Sequence, residues 1–422
     1  MSQNPPSVVL GSMKIPALFI SFLVTISANS YAEEAKLSLR EAIKVAEGHH
    51  PDLNLQKARV DEANAQKQSA PSLPPPSLFF SAMGSNGPLN SDGRMENSFG
   101  LSQTIPFPTK LTAESKAKGY EVDAADAKLQ AETLRIRAEV KATFFDLCGA
   151  RKKIAFLEEK KVIYQEHSQR ARSATLSDRI MQAHLVWVQT ELELVNNELI
   201  VAREEERISN GKLNVALGSD PSIPIPELED PPLSELPKSS DLQSSNPELR
   251  ALTFSRDSAQ ASLTQAKSLW LPDLSITYRN ARRFDGLMPN YSEGTIGITL
   301  PFLFFWETSG QTAAANARVQ EAEAKVEKTR NDLKMQLLEA RAHAESLREQ
   351  ALNFENRIIP QAEKRMKIAH GLVPSDMESL NEHRDSMESV IKLKLAALNV
   401  RIDFEKTVAK LESLLAGNEL GQ

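Results

Sequence analysis

The sequence predicts a mainly helical protein with a small β part, built as a duplicated helix-strand-strand-long helix-helix repeat. Two stretches carry this prediction, LSQTIPFPTKL at 101–111 and ITLPFLFFWET at 298–308. Each alternates apolar and polar residues up to an apolar-Pro-Phe step, and each opens onto a long segment rich in Ala and charged residues. Charged residues make up 25% of the chain and aromatic residues only 6%, which favours helices.

The two halves share their landmarks as well as their plan. Pro51 corresponds to Pro247, Pro76 corresponds to Pro272, and TLSD at 175–178 resembles VPSD at 373–376. The stretch between the halves contains six prolines and many acidic and serine residues, which indicates an extended linker. The expected organisation is a first repeat at 33–218, a Pro-rich linker at 219–245, a second repeat at 246–417 and a C-terminal tail at 418–422.

The N-terminal residues 1–32 have the pattern of a secretory signal peptide. Lys14 precedes 14 mostly apolar residues, Ile15 to Ala28, and small residues at Ser30 and Ala32 offer a cleavage site. Met13 is an alternative start to Met1, and an uncleaved anchor is the alternative reading. We expect an exported mature protein without a membrane-spanning helix.

Composition and motifs argue against several classes of function. The net charge of −6 offers no basic stripe for nucleic acid, and the single Cys148 cannot form an intrachain disulfide. No P-loop, nucleophile elbow, HExxH or paired-cysteine motif is present, so we expect neither an enzyme nor a cofactor. His49-His50 and His370/His383 are weak metal candidates, and we interpret them as isolated surface histidines.

Each half contains two strand-like runs with strict alternation. In the second half Ile296, Ile298 and Leu300 share one face, and Thr295 and Thr299 share the other. This pattern is typical of a half-buried strand, and with lipid on the apolar side it is the pattern of an outer-membrane barrel strand. A soluble hairpin packed on one face is the alternative.

Long helices of roughly 65 residues follow the strands, and each would span roughly 100 Å. Without a globular core such helices must pack as coiled coils. Four strands are too few to close a barrel, and lipid does not tolerate open edges. The sequence therefore predicts a homotrimer in outer-membrane lipid, with a 12-stranded β-barrel and a 12-helix periplasmic α-barrel.

Aromatic residues cluster at the predicted strand-helix junctions. Aromatic girdles mark bilayer interfaces, so we expect membrane-interface positions for these side chains. Packing in a protein core is the alternative. The residues are Phe107, Trp270, Phe302, Phe305 and Trp306.

The sequence resembles the TolC-type outer-membrane efflux family over nearly the whole mature chain. LSLREAIKVAEGHHPDL at 37–53 resembles the family's opening, and SQTIPFPTKL at 102–111 is similar to a segment common in its heavy-metal efflux branch, with Thr109 where Gly is usual. HGLVPSDM at 370–377 resembles the family's periplasmic turn. The Tyr and Arg that often hold the tunnel shut there are not matched, because Ile368 and Val373 stand at about those positions.

The resemblance implies a passive exit duct of a tripartite efflux system. Its partners would be a periplasmic adaptor, or membrane fusion, protein and an inner-membrane RND-type or ABC transporter. Its cargo would be small molecules or metal ions. A duct for type I protein secretion and a periplasmic coiled-coil adaptor or scaffold without a pore are the alternatives.

The turns farthest from the strands are the candidate site residues. Exposed small or apolar turn residues there suggest adaptor docking at Leu176, Ser177, Gly371, Leu372 and Val373. Threefold repetition would bring acidic rings to the pore entrance, at Asp376, Glu378, Glu382 and Asp178. For Asp178 and Asp376, capping the helix that follows is the alternative role.

Overall fold

A computed structural model describes residues 36–84, 95–174, 179–237, 246–284, 289–371 and 377–415. Within these ranges the chain forms long helices and one antiparallel sheet. The helices are α1 (Leu39–His49), α2 (Pro51–Ser69), α3 (Pro108–Ala174), α4 (Arg179–Ala216), α5 (Pro247–Ser268), α6 (Phe305–Asn353), α7 (Ile359–Gly371) and α8 (Met377–Leu415). The strands are β1 (Ser77–Met83), β2 (Glu96–Ile105), β3 (Leu274–Arg283) and β4 (Tyr291–Ile298).

Local capping explains where several helices begin and end. Ser38 caps α1 with a capping box to Glu41, and Asn246 caps α5 through hydrogen bonds from the backbone of Glu248 and Leu249. His50 accepts a hydrogen bond from the backbone N–H of Asp52 at the start of α2. Gly218 adopts φ +75° just after α4, as a C-terminal stop glycine does. A Cβ there would approach the Cα of His50 to 2.9 Å.

The long helices pack as coiled coils. Buried residues in α6 recur every seven positions, at Val319, Val326, Leu333, Ala340 and Leu347. In α4 the same spacing joins Val188, Val195 and Ala202, which pack against α3. A seven-residue apolar repeat aligns one seam with a partner helix along its length. The coiled-coil prediction is therefore confirmed by these contacts.

The second long helix is not continuous. A π-helical turn, Phe354–Ile358, separates α6 from α7 just before Pro360. The amide of Ile359 reaches back to the carbonyl of Phe354, a five-residue step. Proline lacks the N–H needed for the α-helical ladder, and a wide turn accommodates that loss. The long helix expected after the second repeat's strands is therefore interrupted by one π turn, although the chain stays helical from Phe305 to Gly371.

The linker is docked along the helices. The side chain of Arg151 in α3 donates to the carbonyls of Ile225 and Pro226, at 2.7 and 2.6 Å. Further on, the backbone N–H of Ser234 donates to the buried carboxylate of Glu405 in α8 at 2.9 Å. The described part of the linker, 219–237, is thus an extended strap that touches both repeats.

The four strands form one antiparallel sheet in the order β1-β2-β3-β4. The central pair joins the two repeats, with Ile105 opposite Leu274 and Glu96 opposite Arg283. The two hairpins of the repeats therefore lie side by side, and β1 and β4 form the outer edges of the sheet.

Candidate functional site

One face of the sheet is apolar and exposed to solvent in the single chain. Opposed residues of an antiparallel pair point to the same side, and Leu101 lies opposite both Leu78 and Tyr278. Ile296 lies opposite Ile276 and is 74% exposed. The exposed apolar side chains of this face are Leu78, Phe80, Phe99, Leu101, Ile276, Tyr278, Ile296 and Ile298. The predicted alternation of apolar and polar residues is therefore confirmed. An exposed apolar face of this size needs an apolar surface to cover it.

The other face carries small polar residues over most of its length. The hydroxyls of Ser102 and Thr277 lie 2.9 Å apart across β2 and β3. Thr295 is opposite Thr277, and Gly297 is opposite Ser275. This face suits water rather than lipid.

Charged residues gather on the polar face at the end of the sheet that leads into the hairpin loops. The Glu96 side chain is only 6% exposed and forms ion pairs with Arg279 and Arg283, at 3.6 and 3.3 Å. The Tyr291 hydroxyl lies 3.3 Å from both carboxylate oxygens of Glu96, and Arg279 also pairs with Glu293 at 2.6 Å. These contacts tie β2, β3 and β4 together. Sequence reasoning missed them, because Glu96 lies in the first repeat and the other three charges lie in the second.

An ion pair joins the two repeats where strands turn into helices. Lys110, in the first turn of α3, lies 2.7 Å from the carboxylate of Asp273, at the start of β3. The same carboxylate accepts from the backbone N–H of Phe107 at 2.9 Å, and the hydroxyl of Thr299 receives the backbone N–H of Asp273 at 2.8 Å. The Lys110 side chain is only 11% exposed. The Pro-Phe step of the first repeat is thus held to the second repeat.

The candidate interface aromatics lie at this end of the helices. Phe107, Trp270 and Trp306 are exposed, with Trp306 in the first turn of α6. Phe302 lies in the short 3₁₀ turn Pro301–Phe304, and Phe305 begins α6. Core packing within one chain is therefore not the role of the three exposed rings, and their place at a bilayer interface stays a prediction.

The hairpin tips lie mostly outside the described residues. This applies to Leu176, Ser177, Asp178, Leu372, Val373 and Asp376. The described helices α4 and α8 begin at Arg179 and Met377, the residues directly after the two aspartates. Gly371 is the last residue of α7, and Glu378 lies in the first turn of α8. Adaptor docking and pore-entrance roles remain predictions.

Glu382 has a defined partner. Its carboxylate pairs with the guanidinium of Arg365 at 2.9 Å, which links α8 to α7. A carboxylate already neutralised by an arginine contributes less to an acidic ring. We therefore expect a smaller entrance role for Glu382 than the sequence suggested.

Three histidines meet in the seam between the α3/α4 hairpin and α8, close to the tips. The rings of His167 and His383 stack with centroids 5.5 Å apart, and His184 stacks on Trp187 at 5.8 Å. The Arg384 guanidinium lies over the Trp187 ring at 4.4 Å. All three histidines are buried, so the interpretation of His383 as an isolated surface histidine was wrong. The same interpretation was wrong for His50, which is buried and caps α2. The only sequence signal was the spacing of His184 and Trp187, one helical turn apart.

The described residues lack two features that other classes of protein would show. No helix among them is long and apolar enough to cross a membrane. They contain no group of three or more His, Cys, Asp or Glu side chains that could hold a metal ion.

Comparison with known proteins identifies the family. The model of the outer membrane efflux protein family matches residues 42–219 and 239–370, one stretch in each repeat. No relative was found among curated protein sequences.

Solved structures show the same fold. CusC superposes with a TM-score of 0.76 at 19% identity, covering 98% of this chain and 99% of CusC. The open state of the Neisseria gonorrhoeae MtrE outer membrane channel gives 0.75 at 16% identity, covering 90% and 89% of the two chains. VceC from Vibrio cholerae gives 0.71 at 19% identity, covering 90% and 96%. With the family model matching more than half of its length in two successive repeats, this chain belongs to the outer membrane efflux protein family.

Proposed function

We propose that three copies of this chain form the outer-membrane exit duct of a tripartite efflux system. The duct passively conducts small molecules or metal ions from an inner-membrane RND-type or ABC transporter, through a periplasmic adaptor, to the exterior. The observation that carries this proposal is the sheet: one exposed apolar face, one polar face and two edge strands, β1 and β4.

The exposed apolar face of the sheet supports a position in the membrane. At least eight large apolar side chains, including Ile296 and Phe99, are exposed together on one side of four strands. A soluble scaffold with this surface would aggregate, whereas lipid covers it at no cost. The adaptor or scaffold alternative leaves this face unexplained.

The two unpaired edge strands of the sheet support assembly with further copies of the chain. Unpaired backbone groups at β1 and β4 are costly in lipid, so the sheet must close through other copies. Twelve strands from three chains meet the size that closed barrels require, and the polar face with Ser102 and Thr277 then lines the lumen.

The duplication limits the register between copies to within two residues. Pro76 corresponds to Pro272 and Pro106 to Pro301, so β4 should meet β1 of the next copy much as β2 meets β3. The two hairpins differ by two residues, since Leu78 pairs with Leu101 whereas Leu274 pairs with Ile298 and not with Ile296. The pair Gly100–Arg279 then corresponds to Thr295 and Met83, both on the polar face. Side chains directly opposite one another are close enough for a disulfide.

Cysteine cross-linking tests this arrangement. In a Cys148→Ala background, Met83→Cys with Thr295→Cys should oxidise to a covalent trimer in outer membranes. The control, Ala82→Cys with Thr295→Cys, should not cross-link, because neighbouring strand residues point to opposite faces. A monomeric protein in detergent, or equal cross-linking of both pairs, contradicts the proposal.

A further inference from the structure

We propose that a buried histidine-aromatic layer near the tips holds α8 against the α3/α4 hairpin, and that its protonation in mild acid opens the periplasmic end of the duct. This tip layer consists of Tyr164, His167, His184, Trp187, His383 and Arg384. The inference rests on the proposed duct, because an opening end requires a pore.

The layer connects three helices through ring contacts. His167 on α3 stacks against His383 on α8, and Tyr164 on α3 meets the Trp187 ring on α4 at 6.2 Å. Arg384 on α8 closes the triangle by lying over Trp187. The start of α8 is thus attached to both helices of the neighbouring hairpin.

The layer is arranged for neutral histidines. His184 is buried, and its Nε2 makes no hydrogen bond within the described residues. Burial lowers the pKa of His184, and the positive charge of Arg384 lowers it further. The rings of His167 and His383 stack 5.5 Å apart, so positive charges on both rings would repel each other across a few ångströms.

Charged groups on α4 and α8 act on the layer. Tyr164 has a raised pKa, first because of burial and then because of nearby carboxylates, so it stays neutral at physiological pH. Arg384 forms an ion pair with Asp385 at 2.6 Å. The carboxylates that act on Tyr164 are Glu388 from α8 and Glu191 and Glu198 from α4.

The rest of the α3–α8 seam has a different chemistry. Away from the tips it is held by lysine-carboxylate pairs: Lys394 with Glu159, Lys406 with Asp146, and Lys141 with Glu412. Carboxylates titrate near pH 4 and lysines near pH 10.4, whereas histidines titrate near pH 6.5. Mild acid therefore changes the tip layer and leaves these pairs intact.

The sign of the effect follows from proton binding. A histidine whose pKa is lowered in the closed layer binds fewer protons there than in the opened one, so acid favours opening. The change begins as the pH falls below about 6.5, the value of an exposed histidine, and is complete below the lowered pKa. Each unit of difference between the histidine pKa values of the closed and opened layers shifts the ratio of open to closed channels by about tenfold.

Two readouts on the full-length trimer test the proposal. Single-channel recordings in planar bilayers should show an open probability that rises about tenfold between about pH 7.5 and pH 5.5. In a Trp270→Phe, Trp306→Phe background, Trp187 is the remaining tryptophan, and its fluorescence should titrate over the same range.

Matched variants separate the layer from other titrating groups. His167→Phe with His383→Phe keeps two stacked rings that cannot be protonated. The channel should therefore keep its low open probability at pH 7.5 and respond less to acid, with His184 as the remaining histidine of the layer. His343→Phe, at an exposed position on α6, should keep the response. If the double variant does not assemble, His184→Phe is measured instead and should weaken the response.

The outcomes distinguish the two proposals. Absence of conductance under all conditions contradicts the duct, while the Trp187 signal still tests the layer. A Trp187 signal that ignores pH, a titrating signal without a change in open probability, or an unchanged acid response in the phenylalanine variants overturns the tip layer alone.

Discussion

Replacing Ile296 by arginine should weaken membrane assembly, because the Ile296 side chain lies on the exposed apolar face of β4. The residue is two positions from the end of the strand at Ile298, or about 7 Å along it. For a tilted strand and an apolar band about 25 Å tall, this lies several ångströms from the bilayer midplane. Arginine costs about 2–4 kcal/mol at the midplane and less toward the interface, so we expect about 2 kcal/mol per chain and about 6 kcal/mol per trimer.

The assay is urea unfolding of the trimer in lipid vesicles, together with the fraction of trimer in outer membranes. Thr295→Arg is the matched control, since Thr295 precedes Ile296 and lies on the polar face opposite Thr277. It should lower the free energy of unfolding by much less. Thr299 is a poorer control, because its hydroxyl bonds to the backbone of Asp273. Equal losses at both positions would refute the assignment of the two faces.

The remaining predictions concern the tips and the strand-helix junction. Glutamate at both Leu176 and Leu372 should abolish efflux, measured by substrate accumulation in cells, while trimer and membrane location persist; full efflux would argue against tip docking. Asp376→Asn should lower cation selectivity in planar bilayers with little change in trimer stability, since Asn caps a helix about as well as Asp. Unchanged selectivity with a clear loss of stability would mean that Asp376 only caps the helix. Asp273→Ala should leave the mostly buried Lys110 ammonium without its carboxylate partner and lower the free energy of unfolding by about 2–4 kcal/mol in urea titrations. An unchanged free energy of unfolding would show that the ion pair does not stabilise the fold.

The fold was predictable where one local pattern determines it. Alternation of Ile296 and Ile298 with Thr295 separated the two faces of a strand, and the Pro-Phe steps marked the strand-helix junctions. Gly218 marked the end of α4 for a conformational reason, since its positive φ favours glycine. Each of these features is readable within a few neighbouring residues.

The rest depended on contacts between distant parts of the chain. Lys110 sits in the predicted junction, but nothing near it in sequence indicates Asp273 as its partner. His167, His184 and His383 come from three helices and share no motif, so their layer emerges only when the coiled coils are packed. The π turn was missed because Pro360 indicates an interruption of the helix without fixing its form.

The Lys110–Asp273 pair also has a consequence for the symmetry of the assembled ring. By the correspondence of Pro106 with Pro301 and of Pro76 with Pro272, Phe305 and Ser77 hold the matching places where one chain would meet the next. Those two residues cannot form an ion pair. In the proposed ring of three chains, joints within a chain that carry this ion pair would alternate with joints between chains that lack it, so the ring would be only quasi-sixfold. Strain on such a ring would then act first at the three joints between chains.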